Sequence, residues 1–137
     1  MSAKKPRASV LVVDDEDMIR SVLRLTLVRA GYDVTEAESG EEALAKVQED
    51  RPDLILLDVM MPGMDGFAVC EQLRRDPDTV DLPIIMLSAR SDSQSRKESV
   101  RVGATKYLTK PLETNKLLAH VQEELEQTDG EALHGTT

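Results

Sequence analysis

A chain of 137 residues has room for one domain with a substantial core, but not for a second full one. Acidic residues outnumber basic ones 26 to 17, for a formal charge of −9, which argues against a duplex-DNA or anionic-membrane surface and favours a basic partner face or a cation. A single cysteine excludes an internal disulfide, and no apolar stretch approaches the ~18 residues of a membrane span.

In chain order, MSAKKPRASV carries the basic cluster Lys4, Lys5 and Arg7 but lacks the apolar stretch of a secretory signal. Residues 1–7 are therefore expected to be a disordered N-terminus, and the chain to be cytoplasmic. SVLVVD, 9–14, is a continuous apolar run, the mark of a strand covered on both faces. From Glu16 to Ala30 a helix is expected, with Ile19, Val22, Leu23 and Leu27 on one face and Gly31 as its stop. YDVTEA, 32–37, alternates and suits a sheet edge.

Ser39 and Glu42 in SGEE have capping-box spacing and open a second helix that ends before Pro52. DLILLD, 53–58, is a second buried run, and it ends on a charge, Asp58. MPGMDG then forms a turn, with Asp65 as N-cap of a third helix from Gly66 to Arg75. In that helix Cys70 reads as a small buried hydrophobe. PIIMLS, 83–88, is the next buried strand. The helix after it, from about Asp92 to Val102, has only a thin apolar stripe, chiefly Val100 and Val102, and is expected to be the least firmly held. KYLT, 106–109, is a short last strand, and Lys110-Pro111 follows it. A fifth helix runs from Thr114 to Glu126 with Leu117, Leu118, Val121 and Leu125 at helical spacing, and 127–137 is expected to be a disordered tail.

Five strand–helix units in succession predict an α/β fold, a flavodoxin-like doubly wound five-stranded parallel sheet in the order 2-1-3-4-5 with five helices, over residues 8–126. Ligands of such sheets bind outside the carboxyl ends of the strands. There the sequence puts Asp14, Asp15, Asp58, Ser88 and Lys110. Three carboxylates in one crevice repel one another, and one lysine cannot balance them. With only oxygen donors on offer, a hard cation such as Mg²⁺ suits the crevice better than Zn²⁺. A hydroxyl and an ammonium beside a metal point further, to a phosphoryl group and a carboxylate nucleophile.

In the order VVDDE, LLDVMMPGMDG, MLSA and KYLTKP, the chain resembles the receiver (CheY-like) domain of two-component response regulators over about residues 8–126. The resemblance implies that Asp58 is the phosphoacceptor. It implies Mg²⁺ held by Asp14, Asp15, Asp58 and the backbone carbonyl of Met60, Asp15 directly and Asp14 through water. Ser88, where the family often has threonine, would bond the phosphoryl group. Tyr107 would change rotamer with it, Lys110 would pair with the acceptor, and the Lys110-Pro111 peptide would be cis.

The implied partners are a sensor histidine kinase or histidine phosphotransfer protein, and a downstream effector protein or domain. Direct nucleic-acid and membrane binding are not expected, and the chain would be a monomer or a weak phosphorylation-dependent dimer. It would be no enzyme beyond catalysing its own phosphorylation and dephosphorylation.

Three rival readings fit less well. A haloacid-dehalogenase-type phosphatase needs an aspartate where Met60 stands, and a nucleotide-binding module needs a glycine-rich phosphate loop that the sequence lacks. A receiver-like scaffold that is never phosphorylated would usually lack one of the five key positions. His120 and His134 are expected to be solvent-exposed, not relay residues. Met60, Met61 and Met64 fit an adaptable contact surface or ordinary turn packing.

Overall fold

The computed structural model describes residues 7–134. Strands β1 (Ser9–Val13), β2 (Asp33–Ala37), β3 (Leu54–Asp58), β4 (Ile84–Ser88) and β5 (Lys106–Thr109) alternate with helices α1 (Asp17–Arg29), α2 (Gly40–Glu49), α3 (Gly66–Arg75), α4 (Ser93–Arg101) and α5 (Thr114–His134). All four strand pairings are parallel and the order is β2-β1-β3-β4-β5, the expected doubly wound sheet.

Continuous apolar strands feed two cores at once, because successive side chains leave a strand on opposite faces. Leu11, Val13, Ile55, Leu57, Ile84 and Met86 meet Ala43 and Val47 of α2 and Val69, Cys70 and Leu73 of α3. On the other face Val10, Val12, Leu54, Leu56, Ile85 and Leu87 meet Leu27 of α1 and Leu117 and Val121 of α5. β2 lies at the sheet edge, and its alternating sequence gives it alternating burial. Cys70 is fully buried in the first core, its Sγ donating to the Val102 carbonyl at 3.3 Å, and burial pushes the thiol up to about 11.

The capping signals act where expected. Ser39 accepts from the Glu42 amide at 3.1 Å and Asp65 from the Ala68 amide at 2.9 Å.

Four details differ from the sequence pattern. Val22 is 59% exposed. It faces a groove of about 560 Å³ that α1 shares with Leu112 and Leu117, so α1 is held on the sheet through Leu27 and Leu23. Val100 is 77% exposed, and the buried face of α4 is made of Ser95 and Ser99, with Val102 at its C-terminal end. α4 is thus even less apolar toward the sheet than its sequence suggests. His120 is half-buried against Lys106, whose Nζ lies 2.9 Å from its Nδ1. Finally, α5 runs to His134, past the boundary expected at Glu126. Gln127, Glu131, Ala132 and Leu133 favour helix while Thr128, Asp129 and Gly130 oppose it, and extending an existing helix carries no nucleation cost. The expected disorder of residues 1–6 and 135–137 lies outside the described residues. Among the described residues, no helix is long and apolar enough to cross a membrane.

The turn after β3 positions the site. Gly63 has φ +73°, a conformation few side chains tolerate. Gly66 starts α3 so close to β3 that a Cβ there would lie 2.5 Å from the Asp58 carbonyl oxygen and 2.9 Å from the Val59 Cα. Backbone atoms cannot give way as a side chain would. Gly66→Ala is expected to cost about 1–3 kcal/mol of stability, the usual range for overpacking. Urea denaturation measures it, and a change under about 0.5 kcal/mol would contradict the close approach.

Candidate functional site

β1 and β3 are neighbours, so the carboxylates that end them meet at one edge of the sheet. Side-chain oxygens of Asp14, Asp15 and Asp58 all lie within 4.8 Å of one another. Asp14 and Asp58 are buried, whereas Asp15 stands exposed at the mouth. Lys110 follows β5 across a cis Lys110-Pro111 peptide. Its Nζ donates to Asp14 Oδ2 at 3.2 Å and to Asp58 Oδ1 at 3.4 Å.

Other contacts fix the two buried carboxylates. Asp14 Oδ1 accepts from the Glu16 amide at 2.9 Å, and Asp58 Oδ1 from the Met60 amide at 3.4 Å. Burial pushes the Asp58 carboxyl up to about 6, and the nearby Asp14 charge adds to this, while Lys110 and the Met60 amide oppose it. Burial works against the Lys110 ammonium as well, but Asp58 and Asp14 outweigh it and hold its pKa above the ordinary lysine value. The site therefore keeps its cation and disfavours the Asp58 anion. Three carboxylates against one ammonium leave an excess of two negative charges.

The donor set fits Mg²⁺. Bonds of about 2.1 Å in an octahedron place ligand oxygens roughly 3–4 Å apart. Carboxylate oxygens already within 4.8 Å of one another need only a small side-chain adjustment to reach that spacing, with water in the remaining positions. The Met60 carbonyl, the fourth expected ligand, belongs to the same turn, and the Met60 side chain is 52% exposed. Met61 is buried and Met64, half-buried, packs on the core, so Met60 is the most exposed of the three.

Ser88 ends β4, next to β3, and is fully buried. Its Oγ accepts from the Arg90 amide at 3.0 Å, which leaves the hydroxyl proton available for an acceptor. Tyr107 sits on β5 away from the carboxylates. Its hydroxyl donates to the Arg90 carbonyl at 2.5 Å, and the Arg96 guanidinium lies 5.2 Å over its ring. Ser88 and Tyr107 thus hold the amide and the carbonyl of one residue.

Arg20 is the participant that the motifs do not reveal. It donates to the Asp14 carbonyl at 2.7 Å and pairs with Asp17 and Glu36. The available signal was an arginine in the first turn of the helix behind an acidic loop. Its partner Glu36, on another strand, could not be read from local spacing.

The family model described as the response regulator receiver domain matches residues 10–122. The chain is 42% identical over 120 residues to the DNA-binding dual master transcriptional regulator RpaA of Synechocystis sp., covering 88% of this chain and 50% of that protein. It is 42% identical to the phosphate regulon transcriptional regulatory protein PhoB of Pseudomonas aeruginosa, covering 88% and 52%. The chain thus spans about half the length of these curated relatives. Among solved structures, chemotaxis protein CheY4 of Vibrio cholerae superposes with a TM-score of 0.83 at 41% identity, covering 86% of this chain and 98% of that one.

A carboxyl raised in the folded state binds its proton more tightly there than when unfolded. Its stabilising contribution is complete below about pH 4 and is lost as pH rises through about 6. Removing the charge should therefore help at neutral pH and not in acid. Asp58→Asn, with a chelator present, is expected to be more stable than the parent by about 1–3 kcal/mol at pH 7.5, converging with it near pH 4. Urea denaturation across that range checks this. A pH-independent difference would contradict the raised Asp58 carboxyl.

Proposed function

The chain belongs to the response regulator receiver domain family, and from that premise we propose that Asp58 accepts a phosphoryl group in a Mg²⁺-dependent reaction. The donor is a phosphohistidine of a sensor kinase or histidine phosphotransfer protein. The observation that carries this reading is the Lys110 ammonium lying within 3.4 Å of two buried carboxylates while a third stands at the mouth. Such a site has too little positive charge until a second cation enters, and a phosphoryl group can follow that cation in.

Bound by Asp15, Asp58 and the Met60 carbonyl, and by Asp14 through water, Mg²⁺ would neutralise charge on the transferring phosphoryl oxygens. Asp58 supplies the nucleophile. One of its carboxylate oxygens bonds to phosphorus as the bond from phosphorus to the donor nitrogen breaks and the imidazole leaves with that electron pair. With its carboxyl near 6, Asp58 is mainly ionised at neutral pH and ready to attack. Lys110 then exchanges a carboxylate oxygen for a phosphoryl oxygen and stabilises the charge that develops there.

Ser88 donates its hydroxyl proton to the phosphoryl group, which draws on the loop it already grips at Arg90. Tyr107 holds the carbonyl of that residue, so its hydrogen bond is lost or remade as the loop shifts. α4 buries mainly serines and resists little. The surface of α4, β5 and α5 therefore changes with phosphorylation and signals to a partner. That partner is a protein, consistent with the −9 charge of the chain.

Intact mass after incubation with Mg²⁺ and acetyl phosphate is the direct test. One phosphoryl group is expected on the parent protein, and none on Asp58→Ala or on the parent with a chelator. An adduct on Asp58→Ala would place the acceptor elsewhere.

A further inference from the structure

Asp15 would bind the metal directly in the function proposed above, yet nothing holds its carboxylate. It is exposed, and among the described residues it makes no hydrogen bond. α1 offers no help, since its N-cap, Glu16, makes no side-chain bond to the first turn. The direction of Asp15 is set by the backbone on either side of it: after it the Glu16 amide donates to Asp14 Oδ1 at 2.9 Å, and before it the Asp14 peptide is held. The Asp14 amide is tied to the Ala37 carbonyl at 3.1 Å, and the Asp14 carbonyl receives Arg20 Nη1 at 2.7 Å.

Arg20 can hold that carbonyl because its guanidinium is anchored on three sides. Nε donates to Glu36 Oε1 at 3.0 Å and Nη2 to Asp17 Oδ1 at 2.7 Å, with Glu38 Oε2 4.0 Å from Nη2. The side chain is only 13% exposed. Glu36 is itself braced: Arg24 pairs with its carboxylate at 3.4 Å and Lys46 donates to its carbonyl. The edge strand thus grips the β1–α1 loop through one planar fork.

We infer that Arg20 is a positioning residue for the metal site: it clamps the peptide between Asp14 and Asp15 and thereby aims the Asp15 carboxylate at the cation. The inference rests on the function proposed above. It makes a prediction opposite in sign to plain electrostatics. Deleting a cation beside an acidic cluster should tighten binding of a divalent cation, whereas loosening the loop should weaken it.

The test is Mg²⁺ calorimetry on the parent, Arg20→Lys and Arg20→Ala, with urea denaturation as a check on folding. Lysine keeps the charge but cannot hold the carbonyl, Asp17 and Glu36 together. Arg20→Ala is expected to raise the Kd for Mg²⁺ about tenfold, the low end for groups that orient metal ligands. Arg20→Lys should remain at least about threefold weaker than the parent, roughly 0.6 kcal/mol. With acetyl phosphate, the Mg²⁺ concentration for half-maximal phosphorylation should rise in step while the rate at saturating Mg²⁺ stays near that of the parent. If Arg20→Ala is too unstable to assay, Arg20→Lys alone decides. A Kd equal to or below that of the parent in a folded variant overturns the role of Arg20. A parent protein that binds no Mg²⁺ overturns the function proposed above instead.

Discussion

One ammonium set between two buried carboxylates governs the rest of this molecule. Lys110 reaches Asp14 and Asp58 only because β1, β3 and β5 end at the same edge of a parallel sheet, and that sheet exists because its strands are apolar on both faces. The core pays for a defect at that edge, an acidic cluster with one cation too few. Burial raises the Asp58 carboxyl even though Lys110 opposes it, so negative charge at this edge is disfavoured. Relief comes from whatever positive charge the site can recruit.

The same edge is wired to a weakly packed flank. Ser88 grips the amide of Arg90 and Tyr107 its carbonyl, and Arg96 covers the Tyr107 ring while donating to Thr109 at 3.0 Å. Beyond them α4 buries Ser95 and Ser99 where a firmly held helix would bury aliphatic side chains. Its far end is fastened: Arg74 donates to the carbonyls of Gly103 and Leu82, each at 2.8 Å. A helix pinned at its C-terminal end and lightly packed along its length moves most easily at the end nearest the acidic site. That arrangement suits a domain that reports a change of charge at Asp58 on a distant surface.

Much of this was legible in the sequence because it is local. A continuous apolar run ending in Asp58, a serine three residues before Glu42, and an aspartate before Gly66 each name their own structure. The convergence of Asp14, Asp15, Asp58 and Lys110 followed from one rule about strand ends. What was not legible depends on partners far along the chain. Val22 has helical spacing with Ile19, but α5 leaves a groove beside it, so it stays exposed. Val100 counted as apolar in α4, yet the helix turns its serines inward. Arg20, on α1, acquires its meaning from Glu36 on β2, and His120 from Lys106.

The central claim is that the acidic edge carries more negative charge than the protein can balance, and that a divalent cation completes it. Folding stability measured against Mg²⁺ concentration tests this most directly. The account predicts that the unfolding free energy of the parent protein rises once Mg²⁺ exceeds its Kd, by about 1.4 kcal/mol for each further tenfold, and that Asp15→Ala loses most of this rise. A parent stability that stays flat over the same range of Mg²⁺ would contradict it.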